Sequence, residues 1–152
     1  MKETALVKKA AEFSKIKHAQ SKKPNDDDGK PHWDHVAKVA EILKLVTDDE
    51  EIIAAGYLHD TLEDTDTTYF ELTQNFGKRV ADLVNEVTKG EGAFKYFPRL
   101  KSRDAVLIKF ADRLHNLSRM DSRPKDKQEE YLKNSIFWKS IPELKNAKND
   151  TL

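Results

Sequence analysis

The chain has 152 residues, about the length of one ordinary domain, and it has no cysteine, which excludes disulfides and thiolate metal sites. Its 27 Lys and Arg residues balance its 27 Asp and Glu residues, so no global positive field favours nucleic acid as a partner. No apolar run is long enough to cross a membrane and no signal-peptide core lies near the start, which predicts a soluble, cytoplasmic protein without a membrane partner.

The apolar residues repeat at helical spacing along nearly the whole chain, and no convincing run alternates with the period of a strand. This pattern predicts an all-α fold, a compact helical bundle. Thr68, with Glu71 three residues later, has the spacing of a capping box and predicts the start of one short helix. The predicted helices, given by the residues that mark them, are Leu6 to Ile16, Val36 to Leu43, Ile52 to about Asp64, Thr68 to Asn75, Val80 to Val87, Leu107 to Leu117 and Tyr131 to about Pro142.

The polar segments between these helices predict one domain over residues 1–152, with its core at about 4–142. Residues 21–31 form a polar loop bounded by Pro and Gly, and the acidic run from Asp26 to Asp28 is expected to be solvated. No later Glu completes the spacing of a calcium-binding loop after that run. The polar tail from Lys145 is expected to fray.

The pair His59-Asp60 interrupts an apolar helical run, so an imidazole and a carboxylate emerge together at the edge of the core. Glu63 and Asp64 follow four residues after them and are expected on the same side of the helix. Three carboxylates this close repel one another, and a bound cation would relieve the repulsion. The pattern therefore favours a metal site over a solvated acidic face; without the metal, the pKa of one carboxyl group should rise.

Asp112 and His35 are the other candidate ligands. An apolar stripe through Leu107 and Leu114 predicts which way the helix faces, and it places Lys109, Asp112 and Asn116 in a polar strip beside the core. His35 lies at the start of a predicted helix and could also be only a helix-start residue. The mixed nitrogen and oxygen set suits Mn²⁺, and less specifically Fe²⁺, Mg²⁺, Co²⁺ or Zn²⁺. The candidate metal ligands are His35, His59, Asp60 and Asp112, whereas His18, His32 and His115 are expected to face solvent or to pack.

Several motifs in one order resemble the hydrolase domain of RelA/SpoT proteins, whose stand-alone versions are the small alarmone hydrolases of the HD superfamily. The resemblance covers roughly residues 18–140, and it is carried by residues 55–65 (AGYLHDTLEDT), 76–84 (FGKRVADLV), 87–89 (VTK) and 107–117 (LIKFADRLHNL). It implies that His35, His59, Asp60 and Asp112 are the metal ligands, with Mn²⁺ as the usual ion. It also implies that Glu63 and Asp64 orient or activate the attacking water.

The resemblance further implies hydrolysis of the 3′-pyrophosphate of (p)ppGpp to GDP or GTP and pyrophosphate. Lys22 or Lys23 would then contact the nucleotide, and Lys109, Asn116 and Tyr131 would also bind the substrate. The chain departs from the family pattern in three places. Val36 stands where Pro is common, residues 25–28 look inserted, and Arg119 stands where relatives often have a smaller residue.

Two other functions stay open from the sequence. The same site could act as a phosphatase on another nucleotide, such as the 2′-phosphate of NADPH. Alternatively, the protein could be a non-catalytic nucleotide-binding or toxin-neutralising partner. The oligomeric state is left open as well.

Overall fold

The computed structural model describes residues 3–89 and 100–134, and within them the chain forms eight α-helices and no β-strand. The all-α prediction is therefore confirmed. None of the described helices is both long and apolar enough to cross a membrane. The helices are α1 (Ala5–Ala19), α2 (His32–Val46), α3 (Glu50–Leu58), α4 (Thr61–Asp64), α5 (Tyr69–Phe76), α6 (Lys78–Val87), α7 (Arg103–Ser118) and α8 (Lys125–Asn134), with a 3₁₀ turn at Met120–Ser122 before α8.

Four of the helices begin at a side chain that accepts hydrogen bonds from the free N–H groups of the first turn. Thr4 caps α1, Thr68 caps α5 and Ser102 caps α7. Asp49 caps α3 by accepting from the backbone N–H groups of Glu51 and Ile52. The predicted helix start at Thr68 is therefore confirmed, and these caps fix where each helix enters the bundle.

Helix α3 is the centre of the bundle, and it packs against α1, α2, α6 and α7. Every residue of α3 from Ile52 to Leu58 is buried. A Cβ atom at Gly56 would overlap Cδ1 of Leu43, so this glycine allows α2 and α3 to approach closely. Because α3 is enclosed in this way, the residues that follow its last turn begin inside the protein.

The predicted continuous helix from Ile52 to Asp64 is wrong at its middle, because α3 ends at Leu58 and α4 begins at Thr61. Asp60 has φ −103° and ψ 2°, outside the helical range, so the backbone turns between the two helices. The hydroxyl of Thr61 donates to the carbonyl oxygen of Leu58 at 2.7 Å and stabilises this break. His59 and Asp60 thus lie in a corner, and they do not follow the four-residue spacing of one helix.

The predicted facing of α7 is also partly wrong. Ala111 is buried and Leu107 packs against the core as expected, but Leu114 and Leu117 are 57% and 41% exposed. Asp112, which hydrogen-bonds to histidines from α2 and from the α3–α4 corner, faces inward instead. The buried face of α7 combines small apolar residues with the polar residues Lys109, Asp112, Arg113 and Asn116.

Parts of three predictions lie outside the described residues. Helix α8 contains Tyr131, as predicted, but residues 135–142 of the last predicted helix are not described. The same is true of the end of the predicted core, at about residue 142, and of the tail from Lys145.

Candidate metal centre

The four predicted ligands come from three separate parts of the fold and converge on one point. His35 lies in the first turn of α2, His59 and Asp60 form the corner between α3 and α4, and Asp112 lies in the middle of α7. Nε2 of His35 is 2.8 Å from Oδ1 of Asp112. Nε2 of His59 is 3.1 Å from Oδ2 of Asp60 and 3.3 Å from Oδ1 of Asp112. One donor atom from each of the four residues lies within 4.8 Å of the others.

These separations fit the coordination shell of a divalent ion. Around an ion with bonds of roughly 2.1 Å, adjacent ligand atoms lie about 3 Å apart and opposite ones about 4 Å apart. The four distances that join a histidine nitrogen to a carboxylate oxygen in this cluster run from 2.8 Å to 3.9 Å. Both imidazoles and Asp112 are buried, so few water molecules would compete for these positions. The cluster can therefore hold a divalent metal ion.

The hydrogen bonds of the two imidazoles leave the correct nitrogen facing the cluster. Nδ1 of His59 lies 2.7 Å from the carbonyl oxygen of Gly56 and donates to it, so Nε2 is the ring nitrogen that faces the cluster. Nδ1 of His35 lies 2.7 Å from Nδ1 of His115, and the two rings stack with centroids 5.0 Å apart. Burial and the neighbouring His35 lower the pKa of His115 to about 4. His115 therefore stays neutral and can accept the proton of His35 Nδ1.

The charges in the cluster balance one another even without an ion. Burial lowers the pKa of His59, but Asp60 and Asp112 outweigh this effect and hold it well above the usual value. Burial would raise the pKa of Asp112, but the ammonium of Lys109, 3.1 Å away, and the two histidines hold it well below 3.8. Burial would raise the pKa of Asp60 too, but His59 and His32 hold it well below 3.8. Both carboxylates therefore stay ionised at neutral pH, which a cation ligand requires.

His32 belongs to this site, although it was expected to face solvent or to pack. Its Nε2 lies 2.8 Å from Oδ2 of Asp60, and its Nδ1 lies 2.7 Å from Oδ1 of Asp26. Burial lowers the pKa of His32, but the hydrogen bonds to Asp26 and Asp60 raise it to about 10. The sequence carried a signal for this role, because His32 and His35 are one helical turn apart and share a face.

Asp26 also departs from its prediction as a solvated loop residue. It accepts hydrogen bonds from His32 and from Nη1 of Arg119, which is 2.7 Å from its Oδ2. These two partners outweigh burial, which alone would raise the pKa of Asp26, and hold that pKa well below its usual range. The expectation that His18 packs is confirmed, because it is buried with its ring centroid 4.9 Å from that of His32.

The acidic pair of α4 lies at the mouth of the cluster. Glu63 accepts a hydrogen bond of 2.9 Å from the backbone N–H of Lys89, which fixes its carboxylate. Oδ2 of Asp64 is 3.7 Å from Nε2 of His32. Burial and repulsion from Asp60 raise the pKa of Asp64 to about 7. One carboxyl pKa was expected to rise in the metal-free site, and Asp64 is that group.

The cluster opens into a cleft of about 180 Å³ whose wall is rich in cations. The predicted substrate residues Lys109, Asn116 and Tyr131 all line this cleft. The ring of Tyr131 lies beneath two guanidinium groups, 4.4 Å from that of Arg113 and 5.1 Å from that of Arg123. The rest of the cationic wall was not predicted; it consists of Lys89, Arg113, Arg119 and Arg123.

The two lysines of the loop before α2 lie in different places, and neither lines the metal cleft. Lys22 lines a neighbouring cavity of about 400 Å³ that also includes Glu63 and Asp64. Nζ of Lys23 is 3.7 Å from Oδ1 of Asp27, and Lys23 lines a smaller cavity that shares Arg119 and Arg123 with the cleft. Lys22 is therefore the one that shares a cavity with the acidic pair.

Comparisons with known proteins agree with this geometry. The HD domain family model matches residues 10–136. A guanosine-3′,5′-bis(diphosphate) 3′-pyrophosphohydrolase of Aquifex aeolicus is 41% identical over 127 residues, which cover 73% of this chain and 17% of that protein. The chain thus spans less than a fifth of the length of that relative. The human guanosine-3′,5′-bis(diphosphate) 3′-pyrophosphohydrolase MESH1 is 38% identical over 129 residues, which cover 76% of this chain and 69% of MESH1.

A solved structure of a metazoan ortholog of SpoT, reported to hydrolyse ppGpp, superposes with a TM-score of 0.77 and 28% sequence identity. The superposition covers 90% of this chain and 85% of the other. The two proteins therefore share the same helical architecture. Since the family model spans most of the chain and the relatives share more than a third of the aligned residues, the chain belongs to the HD domain family and is related to the SpoT-type hydrolases.

Proposed function

We propose that the protein hydrolyses the 3′-pyrophosphate of (p)ppGpp and releases pyrophosphate and GDP or GTP. One observation carries this proposal: the cluster of four ligands opens into a cleft lined by Lys and Arg side chains, with an acidic pair at its mouth. A substrate with two diphosphate groups needs cations to hold it and carboxylates to manage the proton. The names of the Aquifex and human relatives support the same substrate.

We propose His35, His59, Asp60 and Asp112 as the metal ligands and Mn²⁺ as the ion. Two imidazole nitrogens and two carboxylate oxygens form a mixed donor set that suits this metal. When bound, a divalent ion supplies positive charge that polarises the phosphoryl group and lowers the pKa of water. The protein side chains supply binding, orientation and proton transfer.

The acidic pair is proposed to handle the water nucleophile. Glu63 is held by the backbone N–H of Lys89, so its carboxylate has a fixed direction at the mouth of the cleft. Asp64 lies beside it and close to His32. Two carboxylates so placed can orient a water molecule and accept its proton as the water oxygen bonds to phosphorus and the bond from phosphorus to the ribose 3′ oxygen breaks. The proton then passes to the 3′ oxygen, which leaves as the 3′ hydroxyl of GDP or GTP.

The cleft wall is proposed to bind the nucleotide. Lys109 is buried beside Asp112, where its ammonium can also reach a phosphoryl oxygen next to the metal ligands. Asn116, which donates to Asp112 and accepts from Arg119, and the aromatic face of Tyr131 can contact the nucleoside. Of the two loop lysines, we propose Lys22 for the substrate contact, since it shares a cavity with Glu63 and Asp64.

The test is hydrolysis of ppGpp by the purified, Mn²⁺-loaded protein, with the products separated by chromatography. Asp60→Ala should abolish turnover. Asp48→Ala, an exposed carboxylate at the opposite end of α3, should leave it unchanged. Release of GDP and pyrophosphate would support the proposal. If ppGpp stays intact and NADPH releases inorganic phosphate, NADPH replaces ppGpp as the proposed substrate. No turnover of either nucleotide would favour a binding protein.

A further inference from the structure

We propose that His32, Asp60 and Asp64 form a second divalent-cation site, which shares Asp60 with the first. The proposed reaction needs only one ion, so this inference goes beyond it. The ion would be a hard divalent cation such as Mn²⁺ or Mg²⁺, because its protein ligands are one imidazole nitrogen and two carboxylate oxygens.

The first argument is the convergence of the donor atoms. Nε2 of His32 is 2.8 Å from Oδ2 of Asp60 and 3.7 Å from Oδ2 of Asp64. The three donors lie within 4.8 Å of one another. These separations match those of the first cluster and the spacing of ligands around one ion, about 3 Å for adjacent and about 4 Å for opposite atoms. Three protein ligands would leave the remaining positions open to water or to substrate oxygens.

The second argument is the hydrogen bond made by the other ring nitrogen of His32. Its Nδ1 lies 2.7 Å from Oδ1 of Asp26, and Asp26 is in turn held by Arg119. A metal-binding histidine usually donates its other ring N–H to a carboxylate, which fixes the ring and makes the ligating nitrogen more basic. Asp26 plays that part here, so Nε2 of His32 is directed at the carboxylates of Asp60 and Asp64.

The third argument is the position of Asp60 between two imidazoles. Its Oδ2 atom is 3.1 Å from Nε2 of His59 and 2.8 Å from Nε2 of His32. The carboxylate therefore borders both donor sets and can bridge two ions. Two divalent ions against the carboxylates of Asp60, Asp64 and Asp112 would leave one positive charge, which favours an anionic ligand. Paired metal ions stabilise both the attacking and the leaving oxygen in phosphoryl transfer.

The metal content of the full-length protein tests the inference without any substrate. The chain is stripped with EDTA, loaded with MnCl₂ and desalted, and bound Mn²⁺ is counted by mass spectrometry; EPR then reports whether two ions couple through a shared carboxylate. We expect two equivalents with a coupled signal. One equivalent in the wild type overturns the proposal and leaves His32 as a hydrogen-bonding link between Asp26 and Asp60.

Variants assign the second ion to its ligands. His32→Ala should retain one equivalent with an uncoupled signal; if it fails to fold, His32→Gln takes its place, with circular dichroism as the check. Asp26→Asn should weaken only the second binding step, by about 10- to 100-fold. Asp48→Ala should keep both ions. Two equivalents in a folded His32 variant would place the second ion elsewhere and overturn the assignment.

This outcome is separable from that of the proposed function. If the protein binds two ions but leaves ppGpp intact, the second cation site stands and the proposed substrate is wrong. If the protein hydrolyses ppGpp with one bound ion, the proposed substrate stands and the second cation site is wrong.

Discussion

Nη1 of Arg119 donates a hydrogen bond of 2.7 Å to Oδ2 of Asp26, across 93 residues of sequence. Both residues belong to places where the sequence is expected to depart from the pattern of the RelA/SpoT hydrolase domain: the loop before α2 and the end of α7. The structure shows that the loop before α2 and the end of α7 contact each other through this hydrogen bond. Through Asp26, the pair also fixes His32 beside Asp60.

Removal of this pair should destabilise the fold. Arg119→Ala leaves Asp26 partly buried without one of its charged partners, and we expect a loss of about 2 kcal/mol in the free energy of unfolding. Urea unfolding monitored by circular dichroism measures it. In a double-mutant cycle, Asp26→Ala with Arg119→Ala should lose less than the sum of the single changes, by at least about 1 kcal/mol. Strict additivity would mean that the two side chains do not stabilise each other.

Mn²⁺ should raise the stability of the metal-free protein. An ion that binds only the folded state at 100 times its dissociation constant adds about 2.7 kcal/mol. The thermal midpoint, measured with EDTA and with excess Mn²⁺, should rise in the wild type and in Asp48→Ala. It should rise much less in Asp112→Asn, which removes a buried carboxylate of the cluster. An equal rise in Asp112→Asn would show that the ion binds elsewhere.

Gly56→Ala should destabilise the protein, although alanine normally favours a helix over glycine by about 1 kcal/mol. The new Cβ would overlap Cδ1 of Leu43, and overpacking of a core costs about 1 to 3 kcal/mol. Chemical unfolding shows whether Gly56→Ala lowers or raises the free energy of unfolding. Leu43→Ala, which removes the overlapping atoms, should make the cost of Gly56→Ala smaller in the double variant. A more stable Gly56→Ala protein would show that α2 and α3 can move apart freely.

Because Asp49 forms an ion pair with Arg79, the free energy of unfolding should fall as the solution becomes acidic. The hydrogen bonds from Arg79 hold the pKa of Asp49 below its usual 3.8, so this carboxylate stabilises the folded state above pH 3.8. Its contribution disappears as the pH falls through the lowered pKa of the folded state. Asp49→Asn, which keeps an oxygen for the cap of α3, should therefore be less stable than the wild type at pH 6, and the two should converge on acidification. A difference in urea midpoint that stays constant with pH would contradict this.

Lys22 and Lys23 provide a matched pair for the proposed substrate contact. Lys22→Ala should raise the KM for ppGpp by about tenfold, the value of one charge-assisted hydrogen bond, with little change in kcat. Lys23→Ala should leave KM near the wild-type value, because Lys23 lies outside the cavity of the acidic pair. Steady-state kinetics distinguishes the two. Equal effects on both lysines would remove the structural reason for preferring Lys22.

The helices were largely predictable because their signals are local. Apolar spacing and the capping pattern at Thr68 depend on residues within one or two turns of each other, and they survive in the structure. The break at Asp60 was not predictable in this way. It depends on a backbone turn after α3 and on one hydroxyl of Thr61 that bonds to the end of that helix.

The prediction of which face of α7 is buried failed for a related reason. Sequence periodicity assumes that the apolar face is the buried face, but in α7 the residues that serve the cluster are buried and Leu114 faces solvent. The role of His32 was missed because its two partners are distant in sequence or lie in a polar loop. The four ligand positions were predicted from a motif order, and the fold brings their donor atoms together.

Helix α3 is enclosed by four other helices, and the corner with His59 and Asp60 follows its last residue. A mutational scan should therefore give one shared phenotype along α3, in which loss of fold and loss of metal appear together. Substitutions in the loop that holds Asp26 should separate the two phenotypes, because that loop contacts the site from its open side. Engineering for altered metal affinity has more freedom at this loop than at α3, the helix that positions His59 and Asp60.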